Sequence, residues 1–166
     1  GDVYKRQAID HGELIRWTKG FDNPNTEGRD CADMLRTSLK RFNVPVKLSS
    51  IINDTTGTLI ASNYVDPRTK IACIFGTGCN AAYMESIGNI PKLSNLDLPA
   101  DEQMVINCEY GAFDSFEHRY LGSLRSKYAV EIDLSSNKPN QQAFEKMIAG
   151  KYLGEIYRLV PVSYTH

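Results

Sequence analysis

The chain has 166 residues, 42% hydrophobic and 23% charged, with a formal net charge of -1 at pH 7 when the histidines are neutral. That size and balance describe a folded protein with a sizeable core; dispersed Lys and Arg give no footprint of nucleic-acid binding, and no apolar run approaches the roughly 20 residues that cross a bilayer. Cys31, Cys73, Cys79 and Cys108 form no C-x-x-C pair and show no zinc-ligand spacing with His11, His118 and His166, so no metal site is expected, and the thiols read as buried and reduced in a cytoplasmic protein.

Along the chain, residues 9–21 are an apolar-charged stretch ending in Gly20, and Asn23-Pro24-Asn25 is a turn. Thr26 opens a predicted helix over 26–42, with Glu27, Asp30 and Asp33 early, Lys40 and Arg41 late, and Ala32, Leu35, Leu39 and Phe42 at helical spacing toward a core. Residues 44–52 alternate and then turn continuously apolar, which predicts a strand stopped by Asn53-Asp54. Residues 58–64 suit either a helix or an extended segment, and 70–75 predict a second buried strand. Residues 81–84 predict a strand, 89–101 a loop, and 104–111 a strand ending in a polar turn. Residues 141–158 predict one or two helices with a break at Gly150 or Gly154.

The polar turns carry the chemistry. Ile51-Ile52-Asn53-Asp54-Thr55-Thr56-Gly57-Thr58 and Ile71-Ala72-Cys73-Ile74-Phe75-Gly76-Thr77-Gly78-Cys79-Asn80 each follow an apolar run, and in α/β proteins ligands collect where such strands end. Short polar side chains and glycines there suit a polyhydroxylated or phosphorylated ligand. Gly76-x-Gly78-x-x-Ala81 formally fits a dinucleotide fingerprint, but Ala81-Ala82-Tyr83-Met84 is a poor helix start and no acidic residue follows at the required distance. Taken singly, Asp54 reads equally as a turn former or helix cap, Glu109 as a loop carboxylate, Glu145 as a solvated helix residue and Trp17 as core packing.

Together, Trp17-Thr18-Lys19-Gly20-Phe21, Ile52-Asn53-Asp54-Thr55-x-Gly57-Thr58, Phe75-Gly76-Thr77-Gly78-Cys79-Asn80-Ala81, Ile106-Asn107-Cys108-Glu109-Tyr110-Gly111-Ala112-Phe113 and Gln141-Gln142-Ala143-Phe144-Glu145-Lys146-Met147 resemble, in order and separation, the middle of a eukaryotic hexokinase. The resemblance covers residues 9–160 and implies an α/β, actin-like ATPase (ribonuclease H-like) fold, incomplete, with parts of two domains: 9–52 in the small domain, 53–57 as hinge and 58–160 in the large domain. Residues 1–7 and 161–166 depart from the family and are expected to be non-native ends. The resemblance implies ATP-dependent transfer of phosphate to the 6-hydroxyl of glucose or a related hexose, with ATP and Mg²⁺ required. It makes Asp54 the general base, Thr18, Lys19, Asn53, Asn80, Glu109 and Glu145 sugar-binding residues, and Thr77 and Gly78 the turn facing the nucleotide phosphates, with Thr58 supporting that region. The family's Gly-Thr-rich phosphate hairpin and Gly-rich adenosine motif are not in these 166 residues, so the chain by itself is expected to be inactive. A non-catalytic hexokinase-like sugar sensor or scaffold is the alternative, and the presence of Asp54 argues against it.

Overall fold

Asp30 organises the first part of the chain. Its Oδ1 accepts from the N–H groups of Gly12 and Ala32, both at 3.0 Å, and its Oδ2 lies 2.7 Å from His11 Nδ1. Burial pushes this carboxyl up, and the two amides and His11 outweigh it and hold it below its ordinary value. The bond from Ala32 makes Asp30 the N-cap of helix α1 (Cys31–Arg41). The structure is a computed structural model that describes residues 3–165, with side chains described for 9–162; the expected non-native ends fall partly outside these residues.

The helix therefore starts five residues after Thr26, and the reason is local. Thr26 Oγ1 accepts from Trp17 Nε1 at 2.7 Å, Glu27 Oε1 accepts from the Trp17 N–H at 2.9 Å, and Gly28 takes a φ of 77° that helix backbone does not allow. Leu35 and Phe42, expected in a core, are 45% and 70% exposed, and of that face Ala32 is the buried member.

Strand β1 (Val3–Ala8) pairs antiparallel with β2 (His11–Arg16). The strand expected over 44–52 does not form. Val44 N–H bonds back to the Leu39 carbonyl, Val46 N–H to the Val44 carbonyl and Ile51 N–H to the Ile9 carbonyl, so among the described residues the segment finds isolated partners and no ladder.

The chain divides into two compact units, Gly1–Asp54 and Thr55–His166. In the second, β3 (Ile71–Phe75), β4 (Cys79–Ser86) and β5 (Gln103–Asn107) form an antiparallel sheet in that order, with Phe75 opposite Cys79 and Ala82 opposite Asn107. Helix α2 (Asp54–Val65) resolves the helix-or-strand choice over 58–64. Its Leu59, fully buried, packs with Ala72 and Ala82, flanked by Met84 and Val105. Burying such a leucine contributes about 1.5–3 kcal/mol. The turn at 76–78 thus joins two antiparallel strands, and Ala81 lies in β4 rather than opening a helix.

Three helices complete the unit: α3 (Lys127–Ser135), α4 (Ala143–Ile148) and α5 (Gly150–Thr165), the last two separated at the Ala149–Gly150 step. None of the four thiols is in a disulfide, and Cys79 alone of them is buried; Cys73 and Cys108 are exposed and Cys31 half-buried. Among the described residues no helix is long and apolar enough to cross a membrane.

Candidate functional site

Within the second unit three of the motifs converge. Asn80, buried near the start of β4, uses its whole carboxamide: Oδ1 accepts from the N–H groups of Ala81 (2.8 Å) and Glu109 (2.9 Å), and Nδ2 donates to Asn107 Oδ1 (2.8 Å) and Glu109 Oε1 (3.2 Å). Facing two backbone N–H groups, the oxygen end of the amide cannot be exchanged with the nitrogen end. Asn107 Nδ2 gives Glu109 its third contact in the cluster by donating to Oε1 at 2.9 Å.

Glu109 pays for this placement with backbone strain, standing at φ 48° and ψ 40° in the left-handed region. Its N–H and one carboxylate oxygen are both held by Asn80, which fixes the direction in which the half-buried side chain points.

Glu145 is not the solvated helix residue that its spacing suggests. It lies in the first turn of α4, is 2% exposed, and its Oε2 accepts from the Cys79 N–H at 3.0 Å. Gly111 makes room for it: a Cβ there would stand 3.1 Å from Glu145 Cβ and 3.3 Å from Oε2. Tyr110 lies against the same group. Burial first, then its hydrogen bond to the Cys79 thiol and the nearby Glu145 charge, push its phenol up to about 12, so it stays protonated at any ordinary pH. Phe144 closes the far side, 5.7 Å from the Tyr110 ring and 6.4 Å from that of Phe113.

Thr77 and Gly78 sit in the β3–β4 turn, Thr77 exposed, and Gly76 closes that turn by donating its N–H to the Gly78 carbonyl at 2.9 Å. Among the described residues no His, Cys, Asp or Glu cluster has the makings of a metal cage.

The first unit holds the other predicted residues. Thr18 is buried and accepts the Phe21 N–H on its carbonyl at 3.1 Å; Lys19, at φ 59°, and Gly20, at φ 85°, turn the chain between them. Trp17 serves neither as buried core nor as an idle surface ring: it ties this turn to Thr26 and Glu27 and stands 6.1 Å from the Phe21 ring. Asn53 is half-buried and Asp54 exposed at the first residue of α2, a position where the helix dipole favours a carboxylate. Thr58 is exposed on the same helix.

Two features escape the sequence reading. Gln142 caps α4 in the left-handed region (φ 54°), is 7% exposed, and its Oε1 is buried without a hydrogen-bond donor. An unsatisfied buried carbonyl three residues before Glu145 is what a ligand hydroxyl would satisfy. The second is an ion cluster beneath α4: Asp133, fully buried, binds Arg125 Nη2 through Oδ2 and Lys146 Nζ through Oδ1, both at 2.6 Å, and accepts the Asn140 N–H at 3.0 Å. Lys146 Nζ also donates to Ser136 Oγ (2.8 Å) and the Lys138 carbonyl (2.7 Å). The one sequence signal for either is the repeated polar pair Gln141-Gln142 at a helix start.

A hexokinase family model matches residues 70–166, and a second, also described as hexokinase, matches residues 3–64. The chain is 58% identical over 154 residues to a hexokinase of Emericella nidulans, covering 93% of this chain and 31% of that protein. It is 50% identical over 158 residues to hexokinase-1 of Saccharomyces cerevisiae, covering 93% and 32%. Among solved structures, a hexokinase from Schistosoma mansoni complexed with glucose aligns with a TM-score of 0.86 at 35% identity, over 98% of this chain and 35% of that one. The chain spans about a third of the length of the curated relatives it matches.

Proposed function

The chain belongs to the hexokinase family and carries part of its actin-like ATPase, ribonuclease H-like fold, and from that premise we propose that the protein containing it transfers phosphate from ATP to the 6-hydroxyl of glucose or a related hexose. The observation that carries the reading is the Asn80–Glu109–Glu145 arrangement: two carboxylates, one buried and one strained, are held by Asn80 and by the Cys79 amide in a way that packing alone does not require. Carboxylates make the stronger hydrogen bonds to sugar hydroxyls, and Gln142 Oε1 supplies a further acceptor. Asn80 acts mainly by aiming Glu109, since its own hydrogen bonds are already taken up.

In the proposed reaction the Asp54 carboxylate takes the proton of the 6-hydroxyl, the oxygen attacks the γ-phosphorus in line, and ADP leaves. Thr18, Lys19 and Asn53 complete the sugar contacts, Lys19 adding positive charge. The Thr77–Gly78 backbone lies along the phosphates, where small residues permit close approach, and Thr58 supports it. Mg²⁺ would enter with the nucleotide and neutralise phosphate charge, a role for which such ions commonly take only one or two protein carboxylates. Residues 9–52 belong to the small domain, 53–57 to the hinge and 58–160 to the large domain, in a cytoplasmic enzyme.

Replacing Glu109 or Glu145 by Ala in a full-length hexokinase containing this segment raises the glucose KM about 10-fold or more, because a hydrogen bond to a charged group is worth about 1.5–3 kcal/mol. A coupled assay with sugar calorimetry checks this: unchanged sugar binding in both variants removes them from the site. Sugar binding without turnover in the unmodified protein would favour the non-catalytic sensor.

A further inference from the structure

The β3–β4 turn is gripped at both ends by one stretch of chain, the elbow from Glu145 to Lys151. On one side the Cys79 N–H bonds to the Glu145 carboxylate at 3.0 Å. On the other, the first N–H groups of α5 reach across: Gly150 donates to the Gly76 carbonyl at 2.8 Å and Lys151 to the Thr77 carbonyl at 3.3 Å. The elbow is itself closed by the Ala149 N–H on the Glu145 carbonyl and the Tyr152 N–H on the Ala149 carbonyl, both at 2.9 Å.

N–H groups at the start of a helix lack partners within the helix, and a common fate is to bind an anion. Here Gly150 and Lys151 spend theirs on carbonyls of the turn. The start of α5 therefore holds the turn that the kinase reading sets against the nucleotide phosphates.

Only glycine permits this approach. A Cβ at position 150 would stand 2.9 Å from the Gly76 carbonyl oxygen and 3.5 Å from its carbon. Both are backbone atoms that cannot swing aside, so relief of the clash must part the start of α5 from the turn and break the bonds that hold it.

We propose that Gly150 is a positioning residue for the nucleotide: by letting α5 dock on the Gly76 and Thr77 carbonyls, it sets where the Thr77–Gly78 backbone meets the phosphates. The inference rests on the kinase reading above and adds a residue that acts through the turn rather than on the ligand. It also separates two roles of the elbow, since Glu145 serves the sugar while Gly150 serves the nucleotide.

The test uses a full-length hexokinase containing this segment, with turnover of the unmodified protein read first. Gly150→Ala should weaken MgADP binding by calorimetry about tenfold and lower kcat by ~10- to 100-fold, the scale of a misplacement near 1 Å, with the glucose Kd within about twofold of the parent. Gly154→Ala is the control: one turn along α5 its Cβ meets nothing within 4 Å, so it changes helix propensity without touching the turn and should leave nucleotide binding alone. Should Gly150→Ala fail to fold, Lys151→Pro removes the other donor at a helix position that tolerates proline, and compared with Lys151→Ala should weaken MgADP binding by about twofold or more while sparing glucose. Parent-like MgADP affinity in Gly150→Ala, or equal loss of glucose and MgADP affinity, overturns the inference while leaving the kinase reading in place. Absence of turnover in the unmodified protein overturns both.

Discussion

Asp54→Ala, in a full-length hexokinase containing this segment, should lower kcat at least about a hundredfold while changing sugar affinity far less. The expectation follows from where the carboxylate stands, exposed in the first turn of α2, where a base can take a proton from a bound hydroxyl. Asp54 is exposed at the first residue of α2, so its removal opens no cavity, and the helix core beneath it is made by Leu59 and Thr55, both fully buried. Truncating a carboxylate at a helix start should cost about 0.3–2 kcal/mol of stability, whereas the proposed base role makes it indispensable for taking the proton. Asp54→Asn sharpens the test: it keeps size and one acceptor oxygen but has no basicity, so a base role predicts that Asn is nearly as damaging as Ala, whereas a helix-capping role predicts that Asn restores function. Near-parental kcat in Asp54→Ala would place the base elsewhere.

Elements with local causes were legible in the sequence, and those with distant causes were not. The apolar run Ile71-Ala72-Cys73-Ile74-Phe75 and the glycines after it announce a strand and a turn, and both exist, but the strand is not buried as expected: Ile71, Cys73 and Phe75 are exposed and Ala72 is its buried residue. Of the two breaks that the sequence offers, Gly150 and Gly154, the chain uses the first, and Gly154 lies inside α5. Residues 44–52 read as a strand because alternation reports only an extended backbone; a strand needs a neighbour, and the partner of Ile51 N–H is a single carbonyl at Ile9. Helix α1 starts later than the sequence predicts because Thr26 and Glu27, good helix openers in isolation, are engaged by Trp17, nine and ten residues earlier. Helix α3 left no amphipathic trace since its buried face is Ala129, Ile132 and Asp133, and a buried charge breaks the apolar period. Its cap, Ser126 accepting from the Ala129 N–H, was the available signal.

The candidate site divides the same way. Residue types and order exposed Asn80, Glu109 and Glu145, but that Asn80 holds Glu109 in left-handed backbone depends on a contact 29 positions apart, and that Glu145 is buried depends on Gly111 having no side chain. Neither distance nor burial is written in a motif.

The same logic makes Asp133 the residue whose loss should cost the most stability. Arg125 and Lys146 both direct their charges at it, with side chains 8% and 4% exposed, and removing the carboxylate leaves two cations buried without compensation. Breaking a buried pair in this way costs about 3–5 kcal/mol, so Asp133→Ala should lower the denaturant midpoint sharply, whereas Asp133→Asn, which can still accept from Asn140 and Lys146, should cost less. Burial pushes the Asp133 carboxyl up, yet Lys146, Arg125 and the Asn140 amide outweigh it and hold it below 3.8, its ordinary value. A carboxylate depressed in the folded state contributes stability that is complete above the unfolded value and is lost as pH falls through the folded one. The gap between parent and Asp133→Asn should therefore be full near pH 7, begin to narrow below about pH 4, and close only as pH falls through the lower folded value and the parent carboxyl becomes neutral. Because Lys146 is next to Glu145 on the short helix α4, the same variant should raise the glucose KM even where the protein remains folded. Urea unfolding of the two proteins across that pH range decides it: a gap that stays constant with pH would mean that Asp133 stabilises by shape and hydrogen bonding rather than by its charge.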